Sequence, residues 1–184
     1  MKQVTIFSLF LFFLFSCKST QTNYTYTQLP ADTLIAHIDS YKNKKIETEG
    51  IIVHICGVDG KKMKLKTENG QIIKLIPNVK NTIFDESFFY KQKVKVQGLA
   101  KESRINKKEI DKAEKDVTLL CHIDNTPCKD TAWVNAQKKK GNAEKISKQD
   151  IEKLRAIMSQ TGKNYISVVT IVVEKVNIVK ETKK

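Results

Sequence analysis

The chain has 184 residues, with 33 Lys or Arg against 20 Asp or Glu, for a formal net charge of +13. That length suits one domain, or one domain carrying a large insertion, and excludes a string of several domains. The hydrophobic fraction of 40% still builds one core after an apolar N-terminal run is set aside, and the lysine excess favours polyanions, unless it is only a solvated surface.

The first element is that run. Lys2 supplies a positive start, residues 4–16 are uncharged and rich in Phe and Leu, and Cys17 follows Leu14-Phe15-Ser16 directly. The run is short for a membrane span, which needs roughly 20 residues, and has the proportions of a signal peptide. Leu14-Phe15-Ser16-Cys17 resembles the lipobox of bacterial lipoproteins, with Phe15 where that family more often has a small or aliphatic residue. The resemblance implies a lipoprotein signal peptide over residues 1–16, lipidation of Cys17, and a location in the bacterial cell envelope, at the outer membrane facing the periplasm. An ordinary cleaved signal or an uncleaved anchor is the alternative.

Residues 17–30 are polar, without an apolar period, and read as a flexible tether. A short helix follows, with Leu34, Ile38 and Tyr41 on one face. Strand signals then dominate. Residues 45–56 are β-branched and interrupted by Gly50, which predicts a bulge or tight coil. If Ile51, Val53 and Ile55 face the core, His54 and Cys56 share the opposite face. Residues 58–60 form a turn. In residues 62–66 Met63 and Leu65 point inward and the lysines toward water; Asn69-Gly70 is a hairpin signal, and residues 71–76 return to Pro77. Residues 84–90 are an aromatic segment expected to plug the core, and residues 93–100 alternate again, with Gly98 inside.

From residue 101 to 163 the pattern turns helical. Ile110, Ala113 and Val117 form a thin apolar stripe, Asp130 can cap a helix through Trp133 that stops at Gly141, and Ser147-x-x-Asp150 resembles a capping box before Ile151, Leu154 and Met158, with Gly162 at the end. Residues 165–179 make a long strand, apolar on both faces and therefore central.

The resulting fold class is mainly β (α+β): a five-stranded barrel over residues 31–180 with a helical insertion, 101–163, before the last strand. The Gly-kinked first and fourth strands resemble the OB-fold. Glu49-Gly50-Ile51-Ile52-Val53-His54-Ile55-Cys56, with Gly60-Lys61-Lys62-Met63-Lys64-Leu65, is similar to the opening hairpin of OB-fold lipoproteins of Gram-negative envelopes. That likeness covers residues 33–99 and 165–179.

Three cysteines remain once Cys17 carries lipid, and three thiols cannot all pair within one chain. A Cys121–Cys128 disulfide with Cys56 buried is one reading. The other folds the insertion over the barrel and joins His54 (or His122), Cys56, Cys121 and Cys128 around a Zn or Cu ion. Asp124, Asp130 and Trp133, near Cys128, read better as ties of a capped loop than as a site. Lys61, Lys62, Lys64, Lys66 and Lys74 make a candidate polyanion surface, for an acidic glycan or nucleic acid. The adjoining strands lack the aromatic platforms that single-stranded nucleic acid needs, so nucleic acid is the weaker partner. No nucleophile elbow, zincin helix, phosphate loop, dinucleotide fingerprint, Cys-x-x-Cys or haem-attachment motif occurs. The expectation is a lipid-anchored binding module without catalysis, whose partner is an envelope protein or a polyanion. A metal or redox protein is the alternative.

Overall fold

The computed structural model describes residues 25–58, 60–80 and 82–180. The signal-like run and Cys17 lie outside the described residues, as does Asp59 in the expected turn.

The chain opens with β1 (Thr27–Gln28), α1 (Ala31–Ala36) and α2 (Ile38–Tyr41). Three strands follow, β2 (Lys45–Ile55), β3 (Met63–Lys66) and β4 (Ile72–Pro77), then a single turn, α3 (Glu86–Phe89). After β5 (Lys93–Asn106) come α4 (Lys107–Lys115), α5 (Thr131–Lys139) and α6 (Ala143–Thr161), and the last strand is β6 (Tyr165–Ile178). Antiparallel pairing joins β2 to β3, β3 to β4, and β5 to both β6 and β2; β4 and β6 run parallel. The five strands β2-β3-β4-β6-β5 therefore close into an OB-like barrel, with the helical insertion before the last strand as expected. β6 has a partner on both sides, which explains its near-continuous apolar sequence. Among the described residues no helix is long and apolar enough to cross a membrane.

Inward residues fill the barrel: Ile46, Ile52, Met63, Leu65, Ile73, Leu75, Val94, Val96 and Ile171 are all fully buried. Leu34 and Ile38 close on the same core. Only part of the expected aromatic plug joins them. Phe84 is buried and Phe89 packs against the core, but Phe88 is 56% exposed, because α3 is one turn long and presents one face.

The inward set of β2 also differs from expectation. Ile52 is buried while Ile51 is 46% exposed, and Ile55 is again buried. The register explains it: Ile52 pairs with Leu65 but His54 pairs with Lys64, so a bulge at Val53 reverses the alternation. His54 and Cys56 face outward, as expected, on the far side of that bulge.

Two boundaries move. The end of the tether is not free chain: β1 lies parallel on β2, and Tyr26 Oη donates to Glu174 Oε2 at 2.5 Å. The insertion starts later than residue 101, because β5 runs on to Asn106 and pairs with β6 as far as Tyr165. This outer ribbon is polar, with Ser167 Oγ bonded to Glu102 at 2.8 Å and the Arg104 guanidinium 4.3 Å above the Tyr165 ring. Cross-strand pairs of this kind stabilise strands without apolar alternation.

Asn106 and Glu109 form a reciprocal capping box that starts α4, and Asp130 caps α5 by accepting from Trp133 N at 2.8 Å. Ser147-x-x-Asp150 is not a cap: α6 begins four residues earlier at Ala143, and Ser147 is buried within it. Ile151 and Leu154 are buried as predicted, and with Ile110, Leu120 and Ile166 they form a second small core on the ribbon, against which Met158 packs. Gly162 ends α6 in the left-handed region, at φ 63°.

Candidate functional site

The insertion reaches back to the barrel through the loop between α4 and α5. Leu120 and Pro127 pair across it, flanked by Cys121 N to Thr126 O at 2.7 Å and Cys128 N to Leu119 O at 2.9 Å. Asn125, at φ 55°, closes the tip by donating to Cys121 O at 2.7 Å. Asn tolerates that left-handed conformation better than most residues.

This clip drives Asp124 onto the outer face of β3 and β4. The carboxylate is 2% exposed; Oδ2 accepts from Lys62 Nζ at 2.9 Å and Lys74 Nζ at 2.7 Å, and Oδ1 from Thr126 Oγ1 at 2.7 Å. Burial alone would raise its pKa. The hydrogen bonds from Lys74, Lys62 and Thr126 outweigh burial and hold the carboxyl far below the usual range. Lys62 shows the converse: burial lowers its ammonium pKa, and the bond and charge of Asp124 reverse that to a net rise.

Beside this anchor a cavity of about 310 Å³ opens between residues 54–58 and Lys62 of the barrel and the segment 120–133 of the insertion. His54, Cys56, Cys121, His122, Cys128 and Trp133 line it. His54 Nε2 and His122 Nε2 are 2.8 Å apart. The His122 imidazole is held below the ordinary histidine pKa, first by burial and then by His54 and Lys64, with Asp150 and Asp124 opposing. Burial raises the Cys121 thiol, against backbone N–H groups of Ile123 and Asp124 and the charge of Lys62.

The insertion thus brings together the expected residues, but in different relations. Cys56, Cys121 and Cys128 are all free thiols, so the expected Cys121–Cys128 disulfide is not formed. The pairing explains this: Cys121 stands opposite Thr126 and Cys128 opposite Leu119, a diagonal relation. Such diagonals span about 7–8 Å between Cα atoms, beyond the roughly 4.4–6.8 Å of a disulfide. Nor is the four-ligand set of His54, Cys56, Cys121 and Cys128 assembled, for among the described residues no three His, Cys, Asp or Glu side chains converge to hold a metal ion. The Lys62 ammonium, on the wall of the same cavity as Cys56 and Cys121, works against a cation between those sulfurs.

The lysine row is also divided. Lys61 and Lys66 are exposed, but Lys62 and Lys74 are bonded to Asp124, and Lys64 is half-buried with its pKa lowered by burial. The insertion covers the face that alternation alone had turned toward water. Asp124 was legible as a loop tie, but its two lysine partners and the meeting of His54 with His122 were not, since they depend on where the insertion folds. A lone acid between Ile123 and Asn125 in a lysine-rich chain is the only local hint.

A thiol count separates the two cysteine states. In the Cys17→Ser chain, denatured without reductant, a thiol-specific reagent such as Ellman's reagent is expected to find three free thiols, with Cys121 reacting last in the native protein because it is 7% exposed. A count of one would establish the disulfide instead.

A scan of protein-family models and a search of curated proteins found no match to this sequence.

Proposed function

We propose that the protein is a lipid-anchored binding module of the bacterial cell envelope, tethered through Cys17 to the outer membrane on its periplasmic side, and that it acts by binding rather than catalysis. The observation that carries the binding half is the cavity between barrel and insertion. It opens beside the loop between the first two barrel strands and the insertion between the last two, the two loops with which OB-folds bind their ligands. The insertion itself covers the adjoining β3–β4 face, through Asp124. That leaves the cavity, with the aromatic Trp133 and the 52% exposed Val58 on its wall, as the open part of the region.

The anchor rests on the sequence: an uncharged run over residues 4–16 after Lys2, with Cys17 directly behind it. Metabolic labelling with an alkynyl fatty acid tests it. Label is expected in the wild-type chain and absent from Cys17→Ser, and equal incorporation in the two would refute the anchor. The divided lysine row weakens the polyanion reading, since Asp124 neutralises two of its five members.

A further inference from the structure

The two imidazoles meet through their Nε2 atoms, 2.8 Å apart, close enough to share one proton. A linear Nε2–H···Nε2 bond at 2.8 Å would hold the ring centroids about 5 Å apart. They are 4.3 Å apart, with the planes at 70°. The rings are therefore tilted off a common axis, and their Nε2 atoms, brought by separate elements, meet at the cavity wall. Two imidazoles on one ion, with bonds of about 2.0–2.1 Å, have nitrogens roughly 2.9 Å apart at a right angle and about 3.3 Å apart at the tetrahedral angle. The separation of 2.8 Å is nearer that of neighbouring ligands in tetragonal Cu(II) and Ni(II) sites than that in structural Zn(II).

From this geometry we infer that His54 and His122 form a two-imidazole seat for a late first-row transition-metal ion of the Cu(II) and Ni(II) class, with its remaining coordination positions open to the cavity. The inference names the ligand class of the cleft proposed above and is independent of the lipid anchor. Each histidine is fixed by its own element: His54 by the bulge in β2, His122 by the clip that Asp124 pins to the barrel. The seat exists only while the insertion is docked. Two protein ligands leave the ion exchangeable, unlike the closed four-ligand sites that hold structural zinc. The thiols of Cys56, Cys121 and Cys128 line the same cavity, but Lys62 beside two of them keeps the imidazoles the primary donors.

Calorimetric titration of the full chain with Ni(II), which does not oxidise thiols as Cu(II) does, tests the seat. The expected result is one ion per chain, with affinity falling at least tenfold in His54→Gln and in His122→Gln. His37→Gln, at the exposed third histidine, should bind as wild type does. Ni(II) should also protect His54 and His122, and not His37, from carbethoxylation in the wild-type chain, a measurement that needs no variant to fold. Unchanged affinity in both cleft variants, or equal modification of all three histidines with and without Ni(II), would overturn the seat while leaving the fatty-acid labelling result untouched.

Discussion

Replacing Asp124 with Ala is expected to destabilise the protein by about 3–5 kcal/mol, the usual cost of removing one partner from a buried charge cluster. The carboxylate is 2% exposed and takes bonds from two lysines whose side chains are 16% and 17% exposed, so the substitution strands two ammonium groups under the insertion. A lower urea midpoint measures the loss, and faster protease nicking within residues 107–164 places it. The triple variant Asp124→Leu, Lys62→Met, Lys74→Met removes the charges together and is expected to recover most of the stability, because an apolar cluster of similar volume often matches a buried ion pair. If the single variant denatured like wild type, Asp124 would not be the clasp.

The same carboxylate sets an acid limit. Its native pKa is depressed, so its contribution is fully present above the unfolded value of about 4 and is lost as pH falls from there through the native value. Wild type should therefore lose stability more steeply than Asp124→Asn below about pH 4. The His54–His122 seat, which depends on the docked clip, should be lost with it.

The barrel was legible because its strands carry local signals. Met63 and Leu65 alternate with lysines, Asn69-Gly70 turns the hairpin, and the doubly apolar residues of β6 announce a strand with neighbours on both sides. Each needs only the period-two pleat and one buried face. The ribbon of residues 101–106 has no such local signal, because its side chains are held by Ser167 on Glu102 and by the Tyr165 ring under Arg104, contacts with a segment more than sixty residues away. The bulge at Val53 has the same character. Nothing in Ile51-Ile52-Val53 says which of the first two isoleucines turns inward; the partner strand decides. For the site, residue types could be named but not their pairing. The outward direction of His54 follows from strand geometry, whereas its meeting with His122 follows from the docking of the insertion. Proximity in sequence favoured a Cys121–Cys128 disulfide, and the diagonal register of the clip works against it.

Gly98→Val is expected to cost about 3 kcal/mol, at the upper end of overpacking penalties. A Cβ there would lie 2.2 Å from the Val172 carbonyl oxygen and 2.8 Å from Ile171 Cγ2. The first of these is backbone, so no rotamer change relieves the clash, and β5 must move relative to β6. Gly98 also sits at the register shift between these strands, while still paired with β2 on its other side. A slip of one residue would turn Val94 and Val96, both fully buried, toward solvent. Because α4 and α6 stand on the outer ribbon, the second core should loosen along with the barrel, giving one cooperative transition at lower denaturant instead of two. Gly57→Ala is the matching control: a Cβ at Gly57 meets nothing within 4 Å, and its free energy of unfolding should stay within about 0.5 kcal/mol of wild type. A Gly98→Val protein as stable as that control would mean that the two long strands approach each other less closely than the barrel closure requires.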